Sequence, residues 1–222
     1  MNSSQDHASS TISRTVRLAM VTCGPQLEVA LQADSTRVVS LVRLGGVAPR
    51  STLVLAAVDL LVEDAGLTAD AIGEIVVSRG PGSFTGIRAG LATAKGLQAA
   101  VGAKILAFDS LLMLAARCDS GGRVWGAQPG RRGEVYARQF EISEDGPPQP
   151  LTEIEIVTIE DASDIGPWVA AEALDLGGLD RAEPSRSSAE ALLRLAELEV
   201  APDAAEPLYV EGPPVHHSPK KR

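Results

Sequence analysis

From Ile72 to Val101 the chain reads IGEIVVSRGPGSFTGIRAGLATAKGLQAAV, and the fold turns on this stretch. The Ile/Val run Ile72 to Val77 predicts a central strand buried on both faces. Residues 78–90, SRGPGSFTGIRAG, then place Gly80, Gly82, Gly86 and Gly90, with Pro81, Ser83 and Thr85 between them, ahead of a helix over Gly86 to Val101. Glycines there permit positive backbone torsions and close approach, and a helix start offers free N–H groups to an anion. A phosphate loop of the Walker kind nevertheless fails, because that loop needs Gly-Lys-Ser/Thr and here the order is Thr85-Gly86-Ile87-Arg88. The glycine spacing does not match the dinucleotide fingerprint either. By spacing alone the favoured reading is a tight strand-to-helix turn that lets a small-residue helix pack closely. Gly86, Ala89, Gly90, Ala92, Thr93, Ala94, Gly96, Ala99 and Ala100 supply those small residues.

Upstream, Val16 to Cys23 reads as a strand, Gly24-Pro25 as a turn, Leu27 to Ala33 as its hairpin partner and Arg37 to Val42 as a third strand. Residues 43–50 form a loop, and a helix begins near Ser51 or Thr52 as cap and stops at Gly66. Leu53, Val54, Leu55, Val58, Leu60, Leu61 and Val62 make that helix apolar nearly all round, so they cannot all face one core. Either both faces pack inside the protein or one meets another chain. Downstream come a strand over Lys104 to Phe108, a helix capped by Asp109, and a hairpin of Arg123 to Ala127 with Glu134 to Glu141. Beyond Glu144 only a strand at Ile154 to Ile159 and a helix at Ser188 to Leu198 are readable. A βββαβα order points to a mixed sheet with helices packed on it.

Composition narrows the function classes. The net charge is -9, and eighteen acidic residues against three basic ones between Gln139 and Glu211 would repel a phosphate backbone. Nucleic acid is therefore a poor direct ligand for that region. Cys23 and Cys118 are isolated thiols in apolar settings, read as reduced core cysteines. His7, His216 and His217 lie in expected tails, which leaves no metal centre, and no histidine base sits near Ser83 or Thr85 to make either a nucleophile. Neither an apolar leader nor a membrane-length apolar run is visible, so a cytoplasmic protein is expected.

Ser78 to Gly90 closely resembles the signature of the bacterial TsaB (YeaZ) family, the small actin-like partners in tRNA threonylcarbamoyladenosine synthesis. The hairpin start, the helix near Ser51, the strand at Ile75, Arg132-Gly133-Glu134-Val135-Tyr136 and Pro207-Leu208-Tyr209-Val210 follow in the family's order, so the likeness spans most of residues 16–210. It implies an α/β fold of the actin-like ATPase (ribonuclease H-like) class with five-stranded-type mixed sheets. The first lobe would be 16–108 and a reduced, acidic second lobe 109–211, between a disordered 1–15 and a basic tail 212–222. It further implies a chain without catalysis or cofactor of its own, which docks on the larger paralogue TsaD in a complex with the ATPase TsaE, meets tRNA only through that complex, and pairs with itself when alone. Helices corresponding to about 51–64 and 86–100 would make the contact, through Leu53, Leu55, Val58, Val62, Ala89, Ala92, Thr93 and Gly96. The signature loop would comprise Gly80, Pro81, Gly82, Ser83, Phe84, Thr85, Gly86 and Arg88. Arg88, at the helix entry, could meet a nucleotide or an acidic partner residue, but the favoured reading is that it braces the loop through backbone carbonyls.

Three positions depart from the family pattern: Val21-Thr22 where Ile-Asp-Thr is usual, Arg50-Ser51 in place of His-Ser, and Pro129-Gly130-Arg131 in place of Asp-Ala-Arg. Each removes a polar group that could touch a nucleotide, metal or partner. The competing expectation is an enzyme of the same superfamily, a nucleotide-binding ATPase or a glycoprotease-like protein.

Overall fold

The computed structural model describes residues 15–33, 40–46, 48–119, 122–131, 133–164, 166–171, 174 and 178–211. The expected lead-in before Thr15, the start of the third strand at Arg37, Arg132, all three histidines and the expected tail from residue 212 lie outside them.

The first sheet holds β1 (Val16–Val21), β2 (Leu27–Gln32), β3 (Ser40–Leu44), β4 (Ile72–Ser78) and β5 (Lys104–Phe108) in the order β3-β2-β1-β4-β5. The hairpin strands pair antiparallel, whereas β1–β4 and β4–β5 are parallel and joined through helices. Helix α1 (Arg50–Asp64) lies against β2 and β3, and α2 (Phe84–Val101) against β4, β5 and α1. Short α3 (Ser110–Ala115) and α4 (Ser188–Glu197) complete the helices, and α4 packs on β1, β2 and β4. All six residues of β2 are buried, because helices cover both of its faces. The central Ile75, Val76 and Val77 are 0% exposed, as two-sided cover demands.

The second sheet runs β10-β6-β7-β8, built from β6 (Gly122–Pro129), β7 (Glu134–Ile142), β8 (Gln149–Pro150), β9 (Glu155–Thr158) and β10 (Trp168–Ala170), with β9 also paired to β7. Only β6 and β7 are long, so this lobe is slighter than the first. Its inner residues Val124, Phe140, Ile142 and Val169 join the main core, and α3 packs on it closely enough that a Cβ at Gly126 would stand 2.7 Å from the Leu111 carbonyl oxygen. A second cluster around Trp125 and Trp168, rings 5.6 Å apart, fills the outer face. Since α4 covers the first sheet, part of the chain beyond residue 109 completes the first layer.

Several elements begin elsewhere than the sequence suggests. Pro49, not Ser51 or Thr52, caps α1, and the Thr52 hydroxyl instead donates to the Pro49 carbonyl at 2.7 Å. Helix α2 starts two residues before Gly86, because the Ser83 side chain accepts from the Gly86 N–H. The loop expected at Arg43 and Leu44 is the end of β3, held in register with Glu28 and Leu27. Asp109 caps α3 as expected, and Ser187 caps α4 in a reciprocal capping box with Glu190.

Candidate functional site

The signature loop spans the turn from β4 into α2 and is gripped on three sides. From the first hairpin, the Cys23 carbonyl accepts the Ser83 N–H at 2.8 Å. The Thr22 hydroxyl, buried, donates to the Gly86 carbonyl at 2.7 Å. From α3, Ser110 donates its N–H to the Gly80 carbonyl at 2.8 Å and its hydroxyl to the Pro81 carbonyl. From the carboxy-terminal segment, the Leu208 N–H reaches the Arg79 carbonyl at 2.8 Å.

This packing explains the glycines. Gly80 and Gly82 sit at φ +105° and +144°, where a side chain would also approach the Leu208 and Cys23 carbonyls to 2.7 and 2.6 Å. A Cβ on Gly86 or Gly90 would overlap Thr22. The motif seats α2 against the end of β1, and Thr22 occupies the space beside the helix start. The packing reading of the turn therefore describes the loop. Val21, where the family pattern has Asp, is 3% exposed and apolar.

Arg88 braces differently from expectation. Its Nε donates to the Tyr209 hydroxyl at 3.0 Å, and the guanidinium lies 4.0 Å from the Phe84 ring centroid, not on backbone carbonyls. Phe84 and Tyr209 stack at 5.1 Å. Arg79 in turn holds the Glu206 carbonyl at 2.9 Å and the Asp203 carboxylate at 3.3 Å. Residues 203–211 thus form a strap from β5 to the second lobe, where Glu211 accepts from the Tyr136 hydroxyl at 3.1 Å and pairs with Arg131 at 3.0 Å. Partial burial and the Glu211 carboxylate push the Tyr136 phenol up.

Between signature loop, hairpin tip and strap opens a cleft of about 530 Å³, lined in part by Pro25, Ser83, Phe84, Tyr136, Tyr209 and Glu211. Tyr209 and Arg131, marked in the sequence only as parts of family-pattern segments, and Glu211, not singled out there, are cleft residues, and their partners lie far away along the chain. Cys23 reaches the cleft wall, but its thiol donates to Ser78 at 3.2 Å and burial pushes it up, so it is an inert group. No group of three or more metal-ligating side chains occurs among the described residues.

On the far side of α1 and α2 the expected interface residues separate into two sets. Val58 and Val62 are 3% and 8% exposed and belong to the core, which corrects their assignment to a contact face. They share the inner side of α1 with Val54, Ala57 and Leu61, which pack beneath the helix. Leu55, by contrast, is 51% exposed, and so is Leu60 at 55%, a residue the expected contact set omits. Leu53, Ala89 and Thr93 are half-buried, while Ala92 and Gly96 are exposed. Thr85, Ala89, Ala92 and Gly96 recur at helical spacing, so α2 presents a small-residue stripe over which another backbone can come near. No described helix is long and apolar enough to cross a membrane.

A family model described as TsaD, tRNA N6-adenosine threonylcarbamoyltransferase, matches residues 28–146. Among curated proteins, the chain is 31% identical over 96 residues to the tRNA threonylcarbamoyladenosine biosynthesis protein TsaB of Escherichia coli K12, covering 42% of each. It is 35% identical over 92 residues to the protein of that name from Bacillus subtilis 168, covering 41% of this chain and 40% of the relative. The aligned part thus spans about two fifths of the length of these relatives. The solved structure of YeaZ from Pseudomonas aeruginosa superimposes with a TM-score of 0.68 at 25% identity, over 88% of this chain and all of the other.

Proposed function

We propose, from the premise that this chain belongs to the TsaD (tRNA N6-adenosine threonylcarbamoyltransferase) family, among its TsaB/YeaZ members, that it takes part in threonylcarbamoyladenosine formation on tRNA as a non-catalytic docking subunit. The fold is the ribonuclease H-like, actin-like one. In this reading the partner is TsaD, the face that meets it is the outer side of α1 and α2, TsaE joins the assembly, tRNA is reached only through it, and the protein works in the cytoplasm.

The observation that carries the proposal is the composition of that outer face. Leu55 and Leu60 of α1 stand more than half exposed, and on the neighbouring α2 Ala92 and Gly96 are exposed and Ala89 half-buried. Such a face has shape and apolar area to offer but no chemistry. A stable specific interface buries about 1,600 Å², and small residues let two helices approach within ordinary packing distance. Without the partner the same face would pair with a second copy. Support for a non-catalytic role comes from Val21, which offers nothing to a magnesium ion or an attacking group.

The cleft favours a second reading, a nucleotide-binding ATPase. Glu211 on its wall already holds Arg131, the cation of the lining, and this engaged carboxylate disfavours a polyphosphate there. Ala92→Arg tests the docking reading, since it should abolish co-purification with TsaD and fail to restore modified tRNA, read by mass spectrometry, in cells depleted of their own TsaB. Unchanged co-purification would remove the interface from this face, and nucleotide hydrolysis by the purified chain would favour the enzyme reading.

A further inference from the structure

Beneath the floor of the cleft, sharing Gly24 and Pro25 with it, lies a second pocket of about 10 Å³ between the two lobes. Gln26 and Glu28 reach it from the first hairpin, Gln128 from β6 and Ser188 from the start of α4. Gln128 is 0% exposed, and neither end of its amide meets a protein hydrogen-bond partner among the described residues. The side-chain oxygen of Gln26 is likewise buried and unmatched. Buried amide groups normally find partners, because leaving one without any forfeits its hydration.

The charge on the pocket wall selects the occupant. Glu28 is already engaged, one carboxylate oxygen accepting the Ala189 N–H at 3.0 Å and the other 3.4 Å from Arg43. An anion would meet that carboxylate, while a cation would leave the Gln128 amide N–H groups unsatisfied. Water alone brings both protons and lone pairs, and about 10–15 Å³ of this kind of volume holds one molecule. We propose that this pocket binds a single internal water that accepts from the Gln128 amide nitrogen and donates to the Gln26 oxygen, joining β6 to the first hairpin. The joint stands apart from the docking role, for it concerns how the two lobes are tied and not which partner they meet.

The test uses the full chain. A crystal structure at about 1.5 Å should show an isolated, well-ordered density peak within hydrogen-bond distance of Gln128. Gln128→Met, close in length and apolar, should lower the unfolding midpoint by about 2–4 °C as Gln26 loses its bridge. If the pocket is dry, the same substitution relieves two orphaned groups and raises the midpoint. An empty pocket in the unmodified protein, or a raised midpoint, overturns the proposal. Should the variant fail to fold, the density around the native Gln128 decides alone.

Discussion

Two helix pairs in this molecule meet different fates. In the inner pair, α4 lies against the first sheet and α3 against the second, and seven of the ten α4 residues are buried, with Leu192 and Leu195 at 0%. In the outer pair, α1 is apolar nearly all round and α2 is strewn with small residues, yet one side of each stays open to solvent, with Leu55 and Leu60 exposed. Apolar content by itself therefore does not decide enclosure. The inner pair is finished by its own chain, whereas the outer pair retains a face that a second backbone can fit.

Substitutions on the two sides of these helices should sharpen the contrast. The largest effect is expected for Gly86→Val, which forces α2 off Thr22 and should cost about 4 kcal/mol or more, read by denaturant unfolding or as an absence of folded protein. In the inner pair, Leu192→Ala should cost about 2–5 kcal/mol by opening a cavity in the core. On the outer face, Leu60→Ala should change stability by no more than about 0.5 kcal/mol while weakening partner binding. Equal losses at Leu192 and Leu60 would erase the distinction.

Asp109, which caps α3, probes the inner pair through pH. Burial pushes its carboxyl up to about 6, a rise that the Leu111 N–H and Arg138 only partly oppose. A folded pKa above the unfolded value of 3.8 means that the folded state holds the proton more tightly. Stability from this group is therefore fullest below about pH 4 and is lost as pH rises through about 6. The loss is on the order of 3 kcal/mol at most. Asp109→Asn keeps a capping oxygen for Leu111, so the midpoint should become nearly flat between pH 4 and 6 and should rise at pH 7. An unchanged slope would show that another group governs it.

Much of this architecture was legible in the sequence, and the limits have physical causes. The strand at Ile75 to Val77, the hairpin of β6 and β7, and the Asp109 cap of α3 are local patterns, and they formed where their periodicity and end signals place them. Helix α1 resisted because residues apolar all round carry no phase, so Val58 and Leu55 could not be told apart until the sheet beneath them was in view. The strap role of Asp203 to Glu211, a segment of which the sequence marks only Pro207 to Val210, was hidden for another reason. It is irregular, and its contacts with Ala107, Arg79, Arg88 and Tyr136 all span long stretches of chain. Arg88 shows the consequence: the sequence marks it as the charged residue at the helix entry, but its partner Tyr209 lies 121 positions away.

The central claim is that the open side of α1 and α2 is a docking face. Its most direct test is the dissociation constant for TsaD, measured by calorimetry with the native chain, with Ala92→Arg and with Ile156→Arg, the last at an exposed site on β9. The account predicts affinity at least about 100-fold weaker for Ala92→Arg, a loss of roughly 2.8 kcal/mol, and native affinity for Ile156→Arg. Native affinity for Ala92→Arg, or a loss confined to Ile156→Arg, would contradict it.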